Sequence, residues 1–328
     1  MIASRDAAYA TKGLPLPPEV SMTTIAMAGL LVDVYGLDEL PSSPSTPTTC
    51  LWLLHPRTRT RARMRDIACR VLHTYHQTPS SSRRGLIALA FDMPNHGTRV
   101  VSDKANGAWS EGNDTHAIDM LGMVKGGRAD MAGLMDVVGG YVGRRVDGHV
   151  CLGWSLGGHA AWEAWVGESR VDAAVAVVGC PDFMGLMSDR AKASDLDFGE
   201  SFLGSKYFPE DLVTTCKGHD PKGILLGTAP IPALPLTDEE RSRLTQILAS
   251  RGCLAGKKLL LCSGSDDKLV PYANTAPMAR LLEDVGGVDM EDKVYEGVGH
   301  FFSAGMVEDA VRFLVKAVED GPRERAKI

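Results

Sequence analysis

The sequence holds no C-x-x-C pair. Its seven cysteines, at positions 50, 69, 151, 180, 216, 253 and 262, are scattered and odd in number. That pattern suits a reducing compartment better than a disulfide framework. A cationic excess is missing too: 35 Lys and Arg stand against 41 Asp and Glu, for a formal net charge of −6. A nucleic-acid partner is therefore not expected, because such surfaces are usually basic. No apolar run approaches the roughly twenty residues of a membrane span, and residues 1–20 lack the apolar stretch of a signal peptide. The expectation is a soluble, cytoplasmic protein, its oligomeric state left open. The glycines at 153–158 are not spaced as G-x-G-x-x-G, and neither G-x-x-x-x-G-K-[ST] nor H-E-x-x-H occurs. No cofactor and no metal is expected.

What is present fits one large domain, alone or with an insertion: 328 residues, 44% hydrophobic and 23% charged. Residues 1–21, with Pro15, Pro17 and Pro18, read as a loosely held arm, or more sharply as a lid or dimer arm. From Met22 strands alternate with helices, the pattern of a sheet covered on both faces. TTIAMAG and LLVDVYG read as antiparallel opening strands; CLWLLHP, RGLIALAF, VDAAVAVVGC and KKLLLCSG read as buried strands, and VDMEDKVY as the last. Thr115 to Val142 reads as a helix broken by glycines. Between 182 and 257 the strand rhythm disappears. TDEERSRLTQILASRG within that stretch has a threonine start and a glycine stop for a helix.

The stretch RRVDGHVCLGWSLGGHAAW organises the chain. A short apolar strand runs into Gly153-Trp154-Ser155-Leu156-Gly157 and then into a helix-forming segment. A serine on so tight a strand-to-helix turn needs small residues two before and two after it, and Gly153 and Gly157 supply them. The plainer reading is an ordinary glycine-rich turn. Two further residues speak against it: Asp267 in LLLCSGSDDKLVP and His300 in VYEGVGHFF follow in the order nucleophile, acid, histidine.

With these motifs the chain resembles the α/β-hydrolase superfamily, serine esterase and lipase-like. The pattern Gly264-x-x-Asp267-x-x-Val270-Pro271 matches the family's acid loop, which makes Asp267 a better match than Asp266. The exit Asp92-x-x-x-His96-Gly97-x-Arg99, the run ANGAWSEGNDTHAIDM and His55-Pro56-Arg57 resemble a poorly characterised fungal-type group. The resemblance implies an α/β fold, a mostly parallel central sheet with helices on both faces. It divides the chain into a core, 22–181 and 258–328, and a cap insertion, 182–257. Ser155, Asp267 and His300 would be catalytic, with Asp182 after the sixth strand as an alternative acid. The oxyanion donors would be the N–H groups of Leu156 and Arg57. Pro56 has no N–H where the family usually has glycine, and Thr58 is the fallback. Trp154, Phe183, Met184, Met187 and Phe202 are candidates for the substrate pocket, although for any one of the last four packing of the insertion against the main domain is the favoured reading. His96, Trp109 and His116 could line it as well, though none is read as catalytic.

Arginine recurs at 57, 59, 61, 63, 65 and 70. Alternate spacing turns by about 200° per step around a helix and cannot line one helical face. Either these residues are solvated, or one or two reach the pocket and bind a substrate carboxylate. The activity implied is hydrolysis of a carboxylic ester, or of a lactone or other acyl ester, of a small, fairly apolar molecule. The alternatives are a non-hydrolytic ligand binder, cyclase or isomerase on the same fold, and, third, a small peptidase.

Overall fold

The computed structural model describes residues 10–250 and 256–323. Eight strands form one sheet: β1 Met22–Met27, β2 Leu30–Tyr35, β3 Thr48–Leu54, β4 Gly85–Phe91, β5 Val146–Trp154, β6 Val171–Val177, β7 Lys258–Gly264 and β8 Asp289–Tyr295. Their order is β1-β2-β4-β3-β5-β6-β7-β8. β2 pairs antiparallel with both β1 and β4, and the pairs from β4 to β8 are parallel. The central strands β3, β4 and β6 are buried at every residue, which is why they read as unbroken apolar runs. β8 lies at an edge and carries Asp289, Glu291, Asp292 and Lys293, charges that discourage pairing with another sheet.

Successive strand residues point to opposite faces, and each face has its own helices. Leu51, Leu53, Ala88 and Ala90 pack with α1 (Arg65–His76) and α9 (Ala304–Asp320). Cys50, Trp52, Leu54 and Leu89 pack on the other face with α2 (His116–Val142), α3 (Leu156–Gly167) and α8 (Ala276–Val285). The remaining helices, α4 (Phe183–Ala193), α5 (Glu210–His219), α6 (Pro221–Leu226) and α7 (Asp238–Ser250), come from the chain between β6 and β7 and join that second face. No helix among the described residues is long and apolar enough to cross a membrane.

Two expectations change. The helix over 116–142 is continuous rather than broken, because tertiary packing outweighs the roughly 1 kcal/mol that each interior glycine costs. Gly126 and Gly127 let it lie against Pro94 and Met93, where a Cβ would come within 2.7 Å and 2.6 Å of their side chains. The arm is fastened from residue 10 onward, in that Thr11 donates its N–H and hydroxyl to the Asp66 carboxylate and Arg70 holds the Pro15 carbonyl. Residues 1–9 of that arm lie outside the described residues. α7 starts as read, with Thr237 and Glu240 exchanging hydrogen bonds, while its glycine stop at Gly252 also lies outside them.

α3 is buried on all sides, polar residues included, since it is wedged between the sheet, α2 and the 182–257 segment. Glu163 is 3% exposed, and its Oε2 meets no donor among the described residues. Burial pushes its carboxyl up to about 7, against the smaller opposing pull of Arg128 and Lys125. A folded-state pKa above the unfolded one stabilises fully below the unfolded value of 4.5, and that contribution is lost as pH rises through about 7. Glu163→Gln is therefore expected to gain on the native protein by on the order of 3 kcal/mol between pH 4.5 and pH 8 in urea unfolding. A pH-independent difference would assign Glu163 an ordinary pKa.

Candidate active site

β5 ends at Trp154, and α3 begins at Leu156. Between them Ser155 has φ 55° and ψ −111°, a backbone conformation that costs a side-chain-bearing residue energy. Neighbours hold it there. The Ser155 N–H donates to Val177 O at the end of β6, at 2.9 Å. A Cβ on Gly153 would lie 1.8 Å from Gly157 O, and one on Gly157 would lie 2.0 Å from Leu54 O. Both positions therefore require glycine. The turn presents the Ser155 hydroxyl at the C-terminal edge of the sheet, above the N-terminus of a helix.

The loops after β7 and β8 meet it. Gly264 pairs with Tyr295 at the ends of these strands, and the Asp266 N–H donates to Val298 O. Ser155 Oγ lies 2.7 Å from His300 Nε2, and His300 Nδ1 lies 2.8 Å from Asp267 Oδ2. An ionised carboxylate only accepts, so Nδ1 carries the proton and Nε2 is left to accept from the serine hydroxyl. Asp267 Oδ1 is held by the N–H groups of Leu269 and Val270, both at 2.9 Å. The Asp267 side chain is fully buried and that of His300 is 18% exposed. Asp182 does another job: it caps α4 by accepting from Gly185 N–H, and it is not the carboxylate at His300. Asp266 accepts from Ser265.

The first N–H groups of α3, that of Leu156 foremost, have no acceptor within the helix. Across from them, β3 pairs with β5 as far as Leu54 opposite Gly153, which brings the His55-Pro56-Arg57 loop beside Ser155. His55 is fully buried. It accepts from Met93 N–H at 2.9 Å, so its Nδ1 is the donor to Pro56 O at 2.8 Å. Burial holds this imidazole down to about 4 and hence neutral. The bond fixes the Pro56–Arg57 peptide, whose other pole is the Arg57 N–H. Sequence reading had no signal for this. It rests on a contact with Met93, 38 residues away.

Ser155 and His300 line a cavity of about 460 Å³ with Arg57, Arg59, Arg63 and Trp154. Leu269 and Phe301 complete much of the wall. A larger hollow of about 880 Å³ lies between the arm and helices α1 and α9, and none of Ser155, Asp267 and His300 lines it. Trp154 is on the Ser155 cavity, whereas Phe183, Met184, Met187 and Phe202 are not. They are at most 5% exposed and pack the 182–257 segment onto the core, Phe183 against His159 and Phe208, Phe202 against Phe198 and Trp109. No described residue of that segment lines the cavity. His96, Trp109 and His116 are also off it. Trp109 stacks edge-on with His116, and His116 donates from Nδ1 to Gly107 O.

The arginines divide. Arg61 pairs with Asp33 and Asp92, and Arg70 with Asp66. Burial alone would raise the Asp92 carboxyl, but donors from Thr98 and Arg61 hold it below the usual range, which ties the loop after β4 to the turn after β3. Arg57 donates to Asn106 O, and Arg63 lies 4.7 Å above the Trp154 ring. Burial, then the charges of Arg57 and Arg190, push His116 down to about 4. Arg190 of α4 donates from Nε and Nη2 to Leu269 O, at 3.2 Å and 2.8 Å, and so braces the loop that carries Asp267.

Residues 70–317 match the profile of the alpha/beta hydrolase family. A search of curated proteins gives no match. Among solved structures the chain is similar to the Thermus thermophilus protein TT1662, with a TM-score of 0.55 at 19% identity over 92% of this chain and 99% of that one. It is also similar to acetyl xylan esterase 1 of a Thermoanaerobacterium species, with a TM-score of 0.50 at 14% identity over 96% and 94%. An arylesterase superposes with a TM-score of 0.50 at 14% identity over 96% and 89%.

Alanine at Gly157 is expected to cost about 3 kcal/mol or more, because the Leu54 carbonyl it meets is backbone and cannot move aside. Gly122→Ala, on the exposed side of α2 with nothing within 4 Å, is the matched control and should stabilise by about 0.5–1 kcal/mol. Denaturant midpoints of the two variants against the native protein check both signs.

Proposed function

The chain belongs to the alpha/beta hydrolase family, and from that premise we propose that it cleaves a carboxylic ester or lactone of a small molecule through an acyl-enzyme at Ser155. The observation that carries this reading is the unbroken hydrogen-bonded series Ser155–His300–Asp267, with both links under 3 Å. A serine hydroxyl is a poor nucleophile until a base takes its proton as attack proceeds. His300 Nε2 is within reach to do so, and Asp267 fixes the tautomer and steadies the imidazolium that forms.

Attack on the carbonyl places negative charge on its oxygen. The N–H groups of Leu156 and Arg57 receive that charge, with His55 acting on the second by holding the Pro56 carbonyl. Loss of one such donor costs on the order of 3 kcal/mol. The protonated His300 then gives its proton to the leaving alcohol oxygen. A water molecule, deprotonated by the same imidazole, attacks the acyl-serine, and the acid departs as Ser155 recovers its proton. One ester and one water yield one acid and one alcohol.

A fluorophosphonate probe is expected to label the native protein and not Ser155→Ala. That variant should lose about 10³-fold or more in kcat for 4-nitrophenyl butyrate, and Asp267→Asn a comparable factor through the wrong tautomer. A native protein that neither takes the label nor turns over the ester is a ligand binder on this fold and not a hydrolase.

A further inference from the structure

The cavity that holds Ser155 and His300 has a lopsided electrostatic wall. Arg57, Arg59 and Arg63 line it, and no carboxylate does among the described residues. Arg59 is exposed at the rim and makes no ion pair among the described residues. Arg57 is half-buried, and the one hydrogen bond its guanidinium makes among them is from Nη1 to the Asn106 carbonyl. The groups behind it are His96, His116 and Arg190, all bases, and the acid whose charge reaches it is Glu111. Burial, and then the charge of Arg57, push His116 down to about 4 and Arg190 down to about 10, and burial lowers His96 as well. Apart from Glu111, the side from which an anion can approach Arg57 is the cavity it lines.

The contrast with Arg61 and Arg70 sharpens the point. These sit in the same stretch of chain and are neutralised by Asp33, Asp92 and Asp66. The Arg61–Asp92 pair also fastens the loop that carries Arg57 and Arg59, so their positions are set before any ligand arrives. Charged groups of one sign in a concave, partly desolvated site attract the opposite sign, and a guanidinium binds a carboxylate through paired N–H groups. An ester of a wholly apolar molecule would offer the half-buried Arg57 no anion.

We propose that the ester cleaved at Ser155 carries a second group, an ionised carboxylate, which Arg57 and Arg59 bind while the ester carbonyl lies against Ser155. This rests on the hydrolase reading above and narrows its substrate class to half-esters of dicarboxylic acids and esters of carboxylate-bearing alcohols.

Two matched pairs of esters test it. 4-Nitrophenyl hydrogen adipate against 4-nitrophenyl hexanoate puts the anion on the acyl side; 4-carboxyphenyl hexanoate against 4-carbamoylphenyl hexanoate puts it on the alcohol side. In at least one pair kcat/KM for the anionic ester is expected to exceed that for the neutral one by about tenfold or more, chiefly through KM, and to shrink as salt is raised. Arg59→Gln should cut that ratio several-fold and Arg57→Gln with Arg59→Gln should bring it near one, while Arg59→Lys restores part of it. Parity or a preference for the neutral ester in both pairs overturns the proposal and leaves the hydrolase reading standing. A preference that survives in the double variant overturns the assignment to these arginines. Turnover of none of the four, with no phosphonate label on Ser155, removes the hydrolase reading and this proposal together.

Discussion

Everything at this site depends on one strained residue being held where it is. Ser155 adopts φ 55° because the strand before it and the helix after it are packed against each other almost to backbone contact. Gly153 faces the Gly157 carbonyl, Gly157 faces the Leu54 carbonyl, and Val177 takes the serine N–H. Three parallel strands thus converge on a single turn. Strain of this kind persists only where the surroundings over-determine it. Here those surroundings are the central, wholly buried part of the sheet and a helix buried on every side, which explains why α3 tolerates the awkward burial of His159 and Glu163.

Much of the fold was legible in the sequence because the sheet is parallel and covered on both faces. Such strands appear as apolar runs between turn residues, and β3, β4, β6 and β7 announce themselves that way. The glycine pair around Ser155, the Gly264-to-Pro271 spacing and the lone Gly-His-Phe after the last strand are local signatures, and they named the three residues that the structure brings together. What escaped was non-local. Nothing in Phe183, Met184, Met187 and Phe202 as letters distinguishes a pocket lining from the packing of an insertion. That depends on which way helix α4 faces, and it faces the core. The helix over 116–142 is a similar case, since Gly126 and Gly127 are contacts with Pro94 and Met93 and not breaks.

The loop after β3 holds the least legible part of the site. His55 is an ordinary strand-end histidine until Met93 N–H is placed on its Nε2, whereupon its other nitrogen is committed to the Pro56 carbonyl. Alternating arginines gave no helical face to reason from. The fold resolves them by sending Arg61 to Asp33 in β2 and Asp92 after β4, Arg70 to Asp66, and Arg57, Arg59 and Arg63 to the cavity wall. A proline at 56 costs the loop one N–H, and the His55 bond to its carbonyl fixes the peptide that carries the next.

Arg190 carries a consequence of a different kind. It belongs to the segment between β6 and β7, yet it grips the carbonyl of Leu269, whose own N–H holds the Asp267 carboxylate. The segment is therefore no detachable module. A graft taken from another member of the fold, however well its helices covered the same apolar ground, would leave the acid's hinge without its brace unless it brought a cation to that one spot.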